Sequence, residues 1–126
     1  MAAKLEHTNY TVSDIDATAK WMCDLFDWHI RWSGASLDNG RTIHVGTDTH
    51  YLALYSPGTP DKATDNNYKT IGGLNHIAVT VDDIEKMETR VKDAGFKPVN
   101  HGDYEPGKRF YFHDHDNIEY EVVAYD

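Results

Sequence analysis

Two histidines occupy the same position in two copies of one sequence motif. His7 lies in the segment LEHTNYTVSDI and His76 lies in LNHIAVTVDDI, and the two segments superimpose when the chain is shifted by 69 positions. A histidine that recurs at one position of a repeated strand presents its imidazole from the same place in each half of a protein. Two such halves can together supply two nitrogen ligands to one metal ion.

A carboxylate completes this candidate metal site. The segment YLALY at 51–55 aligns with EYEVV at 119–123, which places Ala53 at the position of Glu121. Because alternate residues of a strand face the same side, Glu121 is expected on the face of its sheet that also holds a histidine. Two imidazoles and one carboxylate suit a divalent ion of iron, zinc, nickel, cobalt or manganese. We therefore predict a metal site of His7, His76 and Glu121, with Glu119 as an alternative ligand on the same face.

Polar residues on the neighbouring strands are candidates for catalysis and substrate binding. Strand alternation directs them to the same inward face as the predicted ligands. An inward arginine, Arg109, is suited to bind an anionic substrate, and its alternative role is a salt bridge to Glu119 or Glu105. The candidate proton-transfer residues are Tyr111, His44 and Glu119, and the candidate substrate contacts are Arg109, Tyr51 and Thr42.

The elements that must position these residues form a repeat. A helix N-cap signal follows the first strand of each half, Ser13-Asp14 and then Asp82-Asp83, and apolar residues at helical spacing come next. Short runs of alternating polar and apolar residues indicate the strands. We predict strands over residues 5–12, 28–32, 42–45, 51–55, 74–81, 97–101, 109–113 and 118–124, with a loop over 103–107.

This element order predicts a single α+β domain over residues 1–126. Module one covers residues 1–56, a linker rich in proline, glycine and asparagine covers 57–73, and module two covers 74–126. Each module reads β-α-β-β-β. Each sheet is expected to be mixed and curved, with its helix on the convex apolar side and the polar residues around a shared cavity.

The paired LxHxxxxVxDI segments and the closing segment FYFHDHDNIEYE also resemble a known family. Together with the β-α-β-β-β repeat, they are similar to the vicinal oxygen chelate superfamily, also called the glyoxalase/bleomycin resistance protein/dioxygenase group. The resemblance covers essentially the whole chain. It implies a histidine ligand from the first strand of each module and an acidic ligand from the fourth, which correspond here to His7, Ala53, His76 and Glu121.

The resemblance also narrows the expected activity. Glyoxalase I-type members need a carboxylate at both fourth-strand positions. Ala53 therefore disfavours a methylglyoxal-glutathione lyase. Three ligands is the pattern of extradiol dioxygenases and of fosfomycin-modifying transferases. The former usually have a second pair of modules, and the latter usually have a serine-rich loop where this chain has Tyr104-Glu105-Pro106-Gly107-Lys108.

The sequence is therefore compatible with three functions. The first is a metal-dependent enzyme of dioxygenase, lyase, isomerase or transferase type, in which a small substrate chelates the metal through two oxygens. The second is a non-catalytic protein that sequesters a small molecule, as bleomycin-resistance members do. The third is a structural or regulatory module with a vestigial site. Metal ligands at three of four positions favour the enzyme.

Composition bears on partners and location. A formal net charge of −9 disfavours nucleic acid and anionic membranes as partners, and no apolar run reaches membrane-spanning length. A single cysteine, Cys23, suits a reducing compartment, so a cytoplasmic protein is expected. Open curved sheets leave edges and aromatic residues to cover, which predicts a homodimer.

Overall fold

The structure is a computed structural model, and it describes residues 1–62 and 67–126. It divides into two compact units, Met1–Lys62 and Ala63–Asp126. Their boundary falls within the predicted linker, of which residues 63–66 lie outside the described residues. Within the described ranges, none of the helices has the length and apolar character needed to cross a membrane.

The first unit is one mixed four-stranded sheet with one long helix. Its strand order is β1-β4-β3-β2, with β1 parallel to β4 and the other pairs antiparallel. A short 3₁₀ turn at Leu37–Asn39 joins the second and third strands. The elements are β1 (His7–Thr11), α1 (Ile15–Phe26), β2 (His29–Ala35), β3 (Arg41–Gly46) and β4 (Tyr51–Ser56).

The second unit repeats this arrangement. Its sheet has the order β5-β8-β7-β6, again with one parallel pair, β5 with β8. The elements are β5 (Ile77–Thr80), α2 (Ile84–Asp93), β6 (Val99–Tyr104), β7 (Gly107–His113) and β8 (Glu119–Tyr125). The predicted α+β fold with two β-α-β-β-β modules is confirmed.

Both helices begin at the predicted capping signals. The Asp14 carboxylate accepts a hydrogen bond from the Ala17 backbone N–H at 3.1 Å, and the Asp83 carboxylate accepts one from Lys86 N–H at 3.0 Å. Each cap satisfies a backbone donor that lacks a partner in the first helical turn. The helices then bury one apolar stripe each, made of Ile15, Ala19, Met22 and Leu25 in α1 and of Ile84, Met87 and Val91 in α2.

The register of the fourth strands confirms the alignment of the two modules. Asn9 of β1 lies opposite Ala53 of β4, and Ala78 of β5 lies opposite Glu121 of β8. Leu54 and its counterpart Val122 are fully buried. Positions 53 and 121 therefore point to the other face of their sheets, away from the helix, because neighbouring residues of a strand alternate.

The prediction for the β6–β7 hairpin was wrong in its boundaries. The expected loop over residues 103–107 is a turn of only two residues, because β6 continues to Tyr104 and β7 already begins at Gly107. Asp103 pairs with Lys108 in this hairpin. The strand β6 lies at the edge of its sheet. Polar side chains can remain exposed to solvent in an edge strand, so the polar residues after His101 do not mark its end.

Candidate functional site

His76 and Glu121 lie side by side in the second unit. His76 directly precedes β5, and the parallel pairing of β5 with β8 brings it next to the glutamate. His76 Nε2 is 3.1 Å from Glu121 Oε1, and the Glu121 side chain is only 9% exposed. Two donors that share one metal ion, each about 2.1 Å from it, are separated by roughly 3 Å. This imidazole and this carboxylate therefore fit two positions around a divalent cation.

Arg109 approaches the same carboxylate from β7. Its Nη1 donates to Glu121 Oε2 at 3.0 Å, and its guanidinium lies 4.8 Å from the centre of the Tyr104 ring. The alternative salt bridge predicted for Arg109 was to Glu119 or Glu105, and the observed partner is Glu121 instead. Within the described residues, the buried Nε and Nη2 atoms of Arg109 have no hydrogen-bond partner. Buried donors rarely lack a partner, so these two are suited to an oxyanion.

Tyr68 is a site residue that the sequence analysis missed. Its hydroxyl donates a hydrogen bond to Glu119 Oε2 and lies 3.1 Å from His76 Nδ1. Glu119 Oε2 is itself 4.0 Å from His76 Nδ1, so the hydroxyl bridges the two side chains. The bond to Glu119 raises the pKa of Tyr68 to about 12. Tyr68 belongs to a 3₁₀ turn, Asn67–Lys69. The sequence points to it only through its position, eight residues before His76.

Tyr111 borders the pair from β7. Its ring meets the His76 ring edge to face, with the ring centres 5.7 Å apart. Burial raises the pKa of the Tyr111 hydroxyl, so it holds its proton at neutral pH. Tyr111 is therefore suited to donate a proton or a hydrogen bond. Five residues predicted from the repeat and from strand alternation lie together in the second unit: His76, Glu119, Glu121, Arg109 and Tyr111.

In the first unit, His7, His44 and Tyr51 form a cluster of rings. The centres of His7 and Tyr51 are 4.9 Å apart, and those of His44 and Tyr51 are 4.6 Å apart. Trp32 extends the cluster, with its ring centre 5.1 Å from that of His44, and Arg31 lies 4.3 Å from the centre of the Tyr51 ring. Three predicted site residues are thus brought together by contacts between their rings.

A carboxylate, that of Glu6, borders this ring cluster. His7 Nδ1 lies 3.0 Å from Glu6 Oε1, which also accepts a hydrogen bond from the Tyr51 hydroxyl at 3.0 Å. The hydrogen bond with His7 is the main reason that the pKa of Glu6 is lowered. Burial lowers the pKa of His44 and so favours its neutral imidazole, which can accept a proton.

The remaining predicted residues of the first unit carry less chemistry. Thr42 is half-buried on β3, between Gly34 and Tyr55 of the adjacent strands. Ala53, at the position equivalent to Glu121, is 4% exposed, and its carbonyl accepts a hydrogen bond from Asn9 Nδ2 at 2.8 Å. The first sheet therefore has the methyl group of Ala53 at the position where the second sheet has the carboxylate of Glu121. The paired residue is Asn9 in the first sheet and Ala78 in the second.

Among the described residues, the structure does not assemble a larger group of ligands. Across residues 1–62 and 67–126, no group of three or more histidine, cysteine, aspartate and glutamate side chains is arranged to hold a metal ion. The structure thus brings together His76 and Glu121, two of the three predicted ligands. The three-ligand set with His7 stays a prediction.

A cavity of about 300 Å³ lies elsewhere in the second unit. It is lined by α2 and by the β6–β7 hairpin, including the Glu88–His101 ion pair and buried Phe110. Phe110 faces the helix, whereas its neighbour Tyr111 faces the other way by strand alternation. Of the predicted site residues, only Arg109 contributes to this lining.

Comparison with models of protein families identifies a match over most of the chain. The model of the Glyoxalase/Bleomycin resistance protein/Dioxygenase superfamily matches residues 4–122 of the chain. Comparison with curated proteins gives no match.

Solved structures with the same fold are numerous. A glyoxylase/bleomycin resistance protein/dioxygenase domain from Frankia sp. EAN1pec superposes with a TM-score of 0.82 at 21% identity, covering 100% of both chains. The fosfomycin resistance protein FosX from Listeria monocytogenes, complexed with Mn(II) and sulfate, gives 0.77 at 19% identity over 100% of this chain and 95% of its own. FosX from Mesorhizobium loti gives 0.74 at 22% identity over 98% and 92%. Likeness at these identities shows a shared fold.

Proposed function

The chain belongs to the glyoxalase/bleomycin resistance protein/dioxygenase superfamily, and we propose that it is a metal-dependent enzyme acting on a small oxygen-chelating substrate. The observation that supports this most is the contact between His76 Nε2 and the buried Glu121 carboxylate. Beside it, Arg109 keeps two buried donors without a partner among the described residues. A metal ligand pair next to a guanidinium with two open donors suits a substrate that carries negatively charged oxygens.

His76, Glu121 and His7 are the proposed ligands of a divalent ion. His7 is assigned from its repeat position alone. The complex of Listeria monocytogenes FosX with Mn(II) supports manganese among the candidates iron, zinc, nickel, cobalt and manganese. When bound, such an ion supplies Lewis acidity, which polarises a substrate oxygen or lowers the pKa of bound water.

The other side chains have separate tasks in this proposal. Arg109 binds an oxyanion group of the substrate through Nε and Nη2, while its Nη1 holds the Glu121 carboxylate in place. Tyr111 donates a proton from its neutral hydroxyl, and neutral His44 or Glu119 accepts one. Tyr51 and Thr42 contact the substrate. These roles are common to dioxygenase, lyase, isomerase and transferase reactions.

We also propose a homodimeric, cytoplasmic protein. The edge strand β2 exposes two large apolar side chains, Ile30 and Trp32, each 50% exposed. An exposed edge with such residues favours pairing with a second chain. Cys23 is a free thiol, which suits a reducing compartment.

Metal analysis of protein purified without an affinity tag tests the enzyme proposal. We expect about one divalent ion per site in the wild type. Replacing a ligand should lower metal affinity by more than the 10- to 100-fold that is typical when a supporting residue is removed, so roughly 100-fold or more for His76→Ala and for Glu121→Gln. Glu105→Gln, in the exposed β6–β7 turn, is the matched control. Wild-type protein that binds no divalent ion, or ligand variants that bind like the control, would contradict the proposal.

The ring cluster of the first unit favours a second candidate, a protein that sequesters a flat aromatic molecule. Trp32, His44 and Tyr51 present a continuous set of ring faces. Aromatic ligands stack on such faces without any need for a metal. Metal-free protein whose tryptophan fluorescence is quenched in proportion to bound aromatic ligand would support this candidate.

A further inference from the structure

The guanidinium of Arg109 is anchored at one of its three nitrogens. Its Nη1 donates to Glu121 Oε2 at 3.0 Å, and the arginine side chain is 14% exposed. Among residues 1–62 and 67–126, the buried Nε and Nη2 atoms find no hydrogen-bond partner. These two nitrogens share one edge of the planar group, where a carboxylate or a sulfate can accept two parallel hydrogen bonds. An anion therefore has one defined place to bind, and the orientation of the guanidinium plane decides whether both bonds form.

The ring of Tyr104 covers a face of this guanidinium. The Arg109 Cζ atom lies 4.8 Å from the centre of the ring, and Tyr104 itself is 61% exposed. A cation is attracted to the face of an aromatic ring, so the N–H groups in the guanidinium plane stay available to an anion. The ring also keeps water from one side of the guanidinium, which strengthens hydrogen bonds made at its edge. Tyr104 thus fixes the plane of Arg109 without competing for its donors.

Gly102 provides the space in which this ring lies. Gly102 and Tyr104 are alternate residues of β6 and share a face of the sheet, and Gly102 pairs with Arg109 of β7. A Cβ atom at Gly102 would meet Tyr104 Cε1 at 2.6 Å, whereas it would meet Arg109 Cγ at 3.4 Å, an ordinary van der Waals distance. A side chain at position 102 would therefore displace the tyrosine ring and leave the stem of the arginine in place.

The first unit contains a similar stack without an anchored guanidinium. Arg31 lies 4.3 Å from the centre of the Tyr51 ring, but its Nη1 donates to the backbone carbonyl of Thr47 at 3.3 Å and the residue is exposed. Water competes with an anion for an exposed guanidinium, so such a pair contributes little. At Arg109, the aromatic contact is combined with burial and with a carboxylate that holds the far nitrogen.

We propose that Tyr104 is a positioning residue for anion binding. Its ring, seated in the space above Gly102, holds the guanidinium of Arg109 so that Nε and Nη2 together face an oxyanion. That this oxyanion belongs to a substrate rests on the proposed function. The stacked arrangement itself does not, and it can be tested in the absence of any metal ion.

Sulfate titration of metal-free protein tests the arrangement. Chelator-treated protein labelled with nitrogen-15 in its arginines is titrated at constant ionic strength, and the Nε–H signal of Arg109 is assigned by its loss in Arg109→Lys. We expect the wild-type signal to move with added sulfate and to saturate. In Tyr104→Ala, the guanidinium loses the contact at its face, so the affinity for sulfate should fall by roughly 3- to 10-fold.

Two further variants distinguish positioning from general packing. Tyr104→Phe keeps the ring, so its affinity for sulfate should stay within about twofold of the wild type. Gly102→Ala keeps both Tyr104 and Arg109 but places a methyl group where the ring lies, so affinity should fall as in Tyr104→Ala. Gly102 does not have a positive φ, so its backbone accepts alanine. Tyr125→Ala, which removes a tyrosine of this unit with a similar exposure of 59%, is the matched control and should bind like the wild type.

The outcomes separate this proposal from the metal-dependent function. A wild type without saturable sulfate binding, or wild-type affinity in Tyr104→Ala or in Gly102→Ala, would overturn the positioning role. A loss in Tyr104→Phe as large as that in Tyr104→Ala would overturn it as well, because the ring is then not what matters. If sulfate binding responds as expected but the wild type binds no Mn²⁺, the role of Tyr104 stands and the metal-dependent function fails.

Discussion

Positions 53 and 121 are equivalent in the two modules, but the first holds a buried alanine and the second a buried glutamate. Around Ala53, the neighbouring histidine stacks on Tyr51. Around Glu121, the corresponding histidine touches the carboxylate itself. One fold and one strand register thus present two different surfaces, one built from ring faces and one from charges. The backbone therefore duplicates positions, while single side chains decide which chemistry each position can perform.

One arginine from each module, Arg31 and Arg109, extends the contrast. Arg31 lies over the Tyr51 ring and is exposed, and Arg109 lies over the Tyr104 ring but is paired with Glu121 and only 14% exposed. Similar stacking therefore accompanies very different burial. The difference in burial, and not the aromatic contact, should determine how much each arginine matters.

Replacing the two arginines by methionine should give the largest difference between the modules. Arg109→Met leaves the buried Glu121 charge without its arginine partner and should lower the free energy of unfolding by about 3 kcal/mol. Arg31→Met, an exposed change, should stay within about 0.5 kcal/mol. Urea unfolding at neutral pH measures both. Equal effects of the two substitutions would show that burial of the Arg109–Glu121 pair does not distinguish the modules.

The last hairpins of the modules give the next prediction. The Asp114 carboxylate is buried and accepts from the N–H groups of Asp116 and Ile118 and from the Tyr120 hydroxyl, whereas the hydroxyl of exposed Thr47 makes contacts of 3.3–3.4 Å in its own turn. Asp114→Ala leaves these donors unpaired and should cost about 2 kcal/mol. Thr47→Ala should stay within about 0.5 kcal/mol. A cost at Thr47 as large as that at Asp114 would contradict this ranking.

The same carboxyl group should also give a pH dependence. Burial raises the pKa of Asp114 above its ordinary value of 3.8, so the folded state favours the neutral form more than the unfolded chain does. Its contribution is then complete below 3.8 and is lost as the pH rises through the raised pKa. Relative to Asp114→Asn, the wild type should therefore lose stability over that interval. If the wild type instead becomes more stable relative to the Asp114→Asn variant as the pH rises through this interval, the pKa of Asp114 is not raised in the folded state.

The helix caps should show the smallest effect, and an equal one. Asp14 and Asp83 occupy equivalent positions and accept the same hydrogen bond at 3.1 and 3.0 Å. Asp14→Ala and Asp83→Ala should each cost about 1 kcal/mol in thermal or urea unfolding. Because the caps belong to the shared fold and not to either surface, unequal costs would mean that the modules differ in stability as well as in chemistry.

Much of the fold was predictable because local rules and the repeat agree. The caps at Asp14 and Asp83 and the alternation around Leu54 and Val122 are visible in the sequence and confirmed in the structure. The β6–β7 hairpin was not, since an edge strand needs no apolar face and its polar residues read as a loop. The predicted strand boundaries were therefore wrong where burial does not impose an alternating pattern of apolar residues.

The candidate site divides in the same way. Glu121 and Arg109 come from strands, so the two-residue period predicted their shared face. Tyr68 comes from a short turn in the linker, where no period applies and where only the folded chain brings its hydroxyl to His76. Alternation could show that Arg109 faces inward but could not identify Glu121 as its partner, because that choice depends on side-chain reach across neighbouring strands.

The parallel pairing of first and last strands has a consequence during translation. Asn9 and its partner Ala53 are 44 residues apart, and the later module repeats the arrangement. As the chain leaves the ribosome, the first strand of each module can join its sheet only after the last strand of that module has been synthesised. Long-range pairing of this kind slows folding. Each half is nevertheless closed by its own final strand, so the first can fold before the second is synthesised.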